Sequence, residues 1–204
     1  MKSWKLILAS GSPRRRELLH RLELEFQVIT SDVVEHVDPT LTPDQVVQAL
    51  ALQKAQAVSH DQETGTVTVG ADTVVVLDGK ILGKPKDQAE AHEMLMQLSG
   101  RSHEVYTGIA VVVKGTEGTK KWTQARCTEV WMRELSDAKR TWYVETGEPM
   151  DKAGSYGIQG YGATLVDRID GCYFNVVGFS LALFDEMMEE IGLPLIETFG
   201  KRKD

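Results

Sequence analysis

Only two cysteines, Cys127 and Cys172, occur in the 204-residue chain, far apart and each inside a hydrophobic, strand-like pattern. A disulfide framework or a thiolate zinc site needs more cysteines at ligand spacing, so both read as small core residues. The five histidines, His20, His36, His60, His92 and His103, are equally scattered and define no metal site. Positive charge is also in short supply: 23 Lys and Arg face 30 Asp and Glu, for a net charge of -7. That balance argues against the broad basic face that nonspecific binding to nucleic acid or an anionic membrane requires. Any anion site must therefore be local. Long apolar runs are missing too. The longest, such as TVVVL and IAVVV, are far below the roughly 20 residues of a membrane span. The start MKSWKLILAS is strand-like, without the apolar core and cleavage site of a signal peptide, so a cytoplasmic location is expected. No repeat, low-complexity segment or Pro/Gly/Ser-rich linker divides the chain, which reads as one domain over residues 1–204, with any second lobe an excursion from one sheet.

What is present is an α/β pattern built on 42% hydrophobic residues. A strand from Lys5 to Ala9 leads into a helix from Pro13 to about Leu22, with Ser12 as its cap, then a strand from Glu25 to Thr30. A helix over Pro43–Val58 follows, capped by Thr42 and apolar at Val46, Val47, Leu50, Ala51, Ala55 and Val58. The stretch TVTVGADTVVVLDGKILGKP predicts a strand, an interruption, a second strand, an Asp78-Gly79 turn and a short strand. Asp87 caps a helix through Leu98, and two long strands, Val105–Lys114 and about Trp122–Met132, come next. Ser136 then caps a helix ending near Gly147. After a glycine-rich stretch, two strands are expected around Asp170-Gly171, then a helix from Ser180 to Ile191. The tail GKRKD is expected to fray.

Chemistry is to be sought where residues break these patterns. Arg14, Arg15 and Arg16 stand in the first turn of the first helix, where the macrodipole disfavours exposed cations by about 0.3–1 kcal/mol. A bound anion would offset that penalty. Free backbone N–H groups, Ser10, Ser12 and guanidinium forks together suit a phosphate, with a solvated basic cap as the plain alternative. Asp72 interrupts two β-branched runs, where aspartate has poor strand propensity. It reads either as an ion-paired structural residue or, beside Gly70 and Thr73, as an exposed carboxylate at a sheet edge or bulge where backbone can approach a ligand. The stretch EPMDKAGSYGIQGYG buries no periodic face and carries Asp151, Lys152, Ser155 and Gln159, as functional loops do. Lys54 and Lys84, taken singly, read as surface lysines.

The set LILASGSPRRRELL, LALQKAQAV, VGADTVVVLDGKILGKP, LSGRSHEVYTG, GEPMDKAGSYGIQG and NVVGFSL, in that order from about Leu6 to Ile191, resembles the Maf family of nucleoside triphosphate pyrophosphatases. The resemblance implies an α/β fold like that of inosine triphosphate pyrophosphatases: an elongated mixed sheet flanked by helices, in two lobes around a central cleft. It also implies hydrolysis of a nucleoside triphosphate to monophosphate and pyrophosphate with a divalent cation, Mg2+ or Mn2+.

By the same resemblance Asp72 is the catalytic base or metal-held carboxylate, and Glu35, in SDVVEHVD, is the second acidic position, so both are also the expected metal ligands. Lys54, Lys84 and Lys152 would meet phosphates, with Ser10, Arg14 and Arg15 at the helix start. The branch acting on dTTP and UTP is distinguished at the positions of Arg14, Thr73 and Gln159, and this chain reads SPR, ADT and GIQG there. The 7-methyl-GTP branch typically carries SPY or SPF, SDQ and SEG. A glutamine amide can accept from N3–H of uracil or thymine while donating to an adjacent carbonyl. The expected partner is a nucleotide, with no nucleic acid or membrane and with a homodimer allowed. The alternatives are a nucleotide-binding regulator of septum formation and a 7-methyl-GTP pyrophosphatase.

Overall fold

The computed structural model describes residues 4–30 and 34–201; Ser31–Val33 of the SDVVEHVD stretch and the last three residues of the tail lie outside that range. Strand β1 (Lys5–Ala9) is followed by helix α1 (Pro13–Arg21), strand β2 (Phe26–Val28), helix α2 (Pro43–His60), strand β3 (Thr66–Leu77) and strand β4 (Lys80–Leu82). Then come α3 (Gln88–Leu98), β5 (Ser102–Gly115), β6 (Gly118–Met132), α4 (Asp137–Glu145), three 310 turns (Glu148–Asp151, Ala153–Ser155 and Gly160–Thr164), β7 (Val166–Asp170), α5 (Tyr173–Val177), α6 (Leu181–Ile191) and α7 (Leu195–Phe199). The fold is mixed α/β: one seven-stranded sheet runs β2-β1-β3-β5-β6-β7, with β4 paired to β3, and helices flank it.

The chain forms two compact units. One comprises residues 1–72, 107–126 and 178–204, the other residues 73–106 and 127–177. In the first, β1 pairs in parallel with β2 on one side and with β3 on the other. The order 2-1-3 makes the C-terminal end of β1, where Ala9 faces Gly70 of β3, a topological switch point, where α/β sheets open a crevice for ligands. Ile7, Ala9 and Val58 are buried together, as are Ala51, Ala55, Ala110 and Val112. The small residues of α2 let it lie directly on the sheet: a Cβ on Gly70 would stand 2.4 Å from Ala51 O, and one on Gly108 2.4 Å from Val47 O. In the second unit α3, α4 and the turns enclose a core of Val75, Leu95, Leu98, Val105, Val130, Tyr143, Tyr156 and Leu165.

Four local expectations are corrected. Strand β3 runs unbroken through Asp72, where an interruption was expected; pairing to β1 up to Gly70 and to β4 from Val75 to Leu77 holds the strand on either side of the residue despite its poor propensity. Residues 173–177, apolar enough to read as a strand, form the short helix α5, held by the Asn175 amide donating to Val105 O at 2.9 Å and Thr128 Oγ1 at 3.0 Å. The tail is tied at its start, with Lys201 N–H on Glu23 O and Gly200 bridged to Leu24. Ser12 occupies the N-cap position of α1 without a side-chain capping bond; its own N–H instead donates to Ser10 Oγ at 3.2 Å.

Candidate active site

Ser10 and Arg15 come together because β1 ends at Ala9 and the chain turns at once into α1. Ser10 is buried, and its hydroxyl accepts from the Arg15 guanidinium at 3.3 Å. Arg15 also donates from Nη1 to Ala71 O at 2.7 Å and from Nε to Gly178 O at 2.8 Å. Burial lowers the pKa of this guanidinium; Asp72 opposes the shift, Arg14 adds to it, and Glu35 opposes it. It therefore sits in the field of both predicted carboxylates. The first turn of α1 carries no acidic residue to offset its three arginines. Arg14 is half-buried there and Arg16 exposed.

The carboxylates meet on Lys54. Its ammonium lies 2.5 Å from Asp72 Oδ1 and 2.9 Å from Glu35 Oε1. Lys54 projects from α2, between Ala51 and Ala55, and the absent side chain of Gly70 lets that turn sit close enough to β3 for the reach. The close backbone approach anticipated at Gly70 is thus to a helix. The Asp72 side chain is 13% exposed and that of Glu35 47%, so one carboxylate is nearly sequestered and the other open to solvent. Along β3 burial lapses only at Asp72 and Thr73. Successive residues of a strand face opposite sides of the sheet, so the two half-buried side chains point to different faces.

In the second unit Lys152 and Gln159 share one loop. The Lys152 ammonium donates to Glu148 O at 2.5 Å and to Asp151 Oδ1 at 2.7 Å. Gln159 is half-buried and extended, at the head of the 310 turn Gly160–Thr164. Lys84 is exposed, and its neighbour Gly83 accepts through its carbonyl from Gly154 N–H of that loop at 3.0 Å. The sequence patterns missed three contributors. The carbonyls of Ala71 and Gly178 carry no side-chain signal at all, and Glu148 belongs to the loop motif without standing out in it.

Asp72 and Glu35 make a credible partial ligand set for a hard divalent cation, which one or two carboxylates, phosphate oxygens and retained waters commonly hold. Among the described residues no group of three or more His, Cys, Asp and Glu could form a closed cage. A carboxylate pair spanned by a lysine, with a guanidinium and a hydroxyl at a helix start, is an arrangement of the phosphate-handling class. The chain belongs to the Maf family, whose model, described as Maf-like protein, matches residues 5–191. A protein of Symbiobacterium thermophilum named dTTP/UTP pyrophosphatase is 49% identical over 191 residues, covering 94% of this chain and 96% of its own. One of the same name from Moorella thermoacetica is 52% identical and covers 97% of this chain and 98% of its own. Among solved structures, a nucleoside-triphosphatase / dITP/XTP pyrophosphatase of Mycobacterium abscessus shares 17% identity at a TM-score of 0.45, covering 91% of this chain and 94% of that one.

Proposed function

We propose that the chain hydrolyses dTTP and UTP to the nucleoside monophosphate and pyrophosphate, using Mg2+ or Mn2+. The observation that carries this reading is the Lys54 ammonium spanning Asp72 and Glu35 in the unit that also holds Arg15. Attack of water on the α-phosphorus builds charge on the equatorial oxygens and on the departing pyrophosphate, so fixed cations and one positioned base are what the reaction needs. Asp72, little exposed and oriented by Lys54, orients the attacking water or takes its proton. Lys54 keeps a positive charge beside that carboxylate. Asp72 and Glu35 would hold the divalent cation, which would supply neutralisation of phosphate charge. Ser10, Arg14, Arg15, Lys84 and Lys152 are assigned to phosphates, and Gln159, with Arg14 and Thr73, to selection of the base.

The naming of relatives up to 52% identical as dTTP/UTP pyrophosphatases supports the pyrimidine assignment. The role in the cell would be housekeeping of the nucleotide pool. Incubation with Mg2+ and dTTP, UTP, CTP or GTP, followed by chromatography, tests the reading. The expected products are TMP or UMP and pyrophosphate, with turnover lost in excess EDTA and restored by Mg2+. Accumulation of UDP and phosphate would overturn the reaction type. Equal turnover of all four would overturn the substrate.

A further inference from the structure

The loop with Lys152 and Gln159 is built around one carboxylate to which neither the sequence patterns nor the proposed mechanism assigns a role. Glu148 Oε1 accepts from the Tyr143 hydroxyl at 2.9 Å and from Gly162 N–H at 2.9 Å, and Oε2 accepts from Tyr161 N–H at 3.0 Å. Its main-chain carbonyl accepts from Lys152 Nζ. The Tyr143 oxygen in turn accepts from Gly157 N–H at 3.3 Å. Peptide groups on both sides of Gln159 are therefore anchored to Glu148, two directly and one through Tyr143. There is no slack in the arrangement. A Cβ on Gly160, which has φ +63°, would stand 2.6 Å from Glu148 Oε2. One on Gly162 would stand 2.1 Å from Gly157 O and 2.7 Å from the Tyr143 oxygen. Burial, and then Glu148 itself, push the Tyr143 pKa up, so the phenol stays a donor.

We propose that Glu148 is a positioning residue for base selection: it holds the arc from Gly157 to Gly162 at one curvature and thereby aims Gln159. The proposal rests on the reading of Gln159 as the group that selects the base. Glu148→Gln tests it with little change of volume. A glutamine has one acceptor oxygen, so its amide nitrogen must face either the Tyr161 N–H or the Tyr143 and Gly162 donors, and at least one peptide group is left without an acceptor.

The expected result is a fall of about tenfold or more in kcat/KM for UTP relative to GTP, the scale of a lost hydrogen bond to a charged group, carried mainly by KM for UTP. Amide hydrogen exchange in the peptide spanning residues 157–164 should quicken at the same time. Tyr143→Phe, which keeps the ring, takes one donor from Glu148 and leaves Gly157 as the one peptide N–H without its acceptor, should show a smaller change of the same kind, and the double variant less than the product of the two. This second variant also stands alone if Glu148→Gln does not fold. Equal losses for UTP and GTP would overturn the proposal, and so would unchanged exchange in that peptide. A wild-type protein that does not discriminate UTP from GTP would defeat the Gln159 reading, and the proposal with it, before any variant is made.

Discussion

Asp72 and Gln159 stand for two kinds of residue that a substitution can separate. Asp72→Asn keeps the volume of a side chain that is only 13% exposed and keeps an acceptor for Lys54 at 2.5 Å, so the fold should survive. What it removes is the charge that activates water or holds a cation. The expected outcome is a loss of about 10²–10⁴-fold in kcat, read by steady-state release of pyrophosphate. Near wild-type turnover with the same metal requirement would remove Asp72 from the chemistry. Gln159→Glu acts differently, because a carboxylate can still accept from N3–H but cannot donate to the neighbouring carbonyl. Its kcat/KM should fall for UTP and dTTP against GTP by about tenfold or more, the scale of a site left with an unpaired polar group. A uniform fall over all nucleotides would point instead to the loop as a whole. The motifs alone singled out both residues as candidates. Glu148 was not legible in the same way, because its role depends on where Tyr161 and Gly162 turn their N–H groups.

At the scale of elements, the decisive contact is that of α2 with β3. Helix and strand meet backbone to backbone at Gly70, where a methyl group would stand 2.4 Å from Ala51 O and 2.9 Å from Ala55 N. Neither atom can swing aside as the end of a flexible side chain could. Gly70→Ala should therefore lower unfolding stability by about 3 kcal/mol, at the upper end of the usual overpacking range. It should lower turnover as well, since α2 carries Lys54 to Asp72. Gly83→Ala, with nothing within 4 Å of the added atom, is the control and should stay within about 0.5 kcal/mol. Urea titration of both variants checks the pair. Helix starts were well marked in the sequence: Asp87 and Ser136 accept from the third residue on, as their positions suggested. The unbroken β3 and the helical residues 173–177 were not marked, because long-range pairing and the Asn175 bonds outweigh local propensity there.

For the molecule as a whole, buried His103 links stability to pH. Its ring meets the Tyr156 hydroxyl through Nε2 at 2.6 Å, while Nδ1 has no hydrogen-bond partner among the described residues. Burial pulls its pKa down from 6.5 to about 4. Between those values the unfolded chain holds a proton that the native state does not, so stability falls as pH drops through that window. The full loss is about 3 kcal/mol on reaching pH 4. His103→Gln should flatten this acid limb without changing the slope above pH 7, as read from urea midpoints between pH 4 and 8. An unchanged limb would assign acid unfolding to other groups. Among the described residues no helix is long and apolar enough to cross a membrane, which agrees with the short apolar runs of the sequence.

Taken alone, the sequence determined the class of chemistry and most of the helices and strands. The elements follow from local rules, capping residues and side-chain periodicities that a short window displays; the chemistry follows from the family resemblance carried by the ordered set of motifs, since the arginine-rich helix start and the aspartate in a β-branched run each also admit a purely structural reading. Tertiary structure decided which charges meet. Lys54 and Asp72 lie 18 positions apart and Arg15 and Gly178 163 apart, distances over which no periodicity carries information. Their meeting depends on the 2-1-3 strand order and on a helix lying against a glycine in the sheet. Hydrogen bonds to main-chain carbonyls, such as those of Arg15 to Ala71 and Gly178, are the least legible of all. Every residue has a carbonyl, and only the folded backbone determines which one faces a guanidinium.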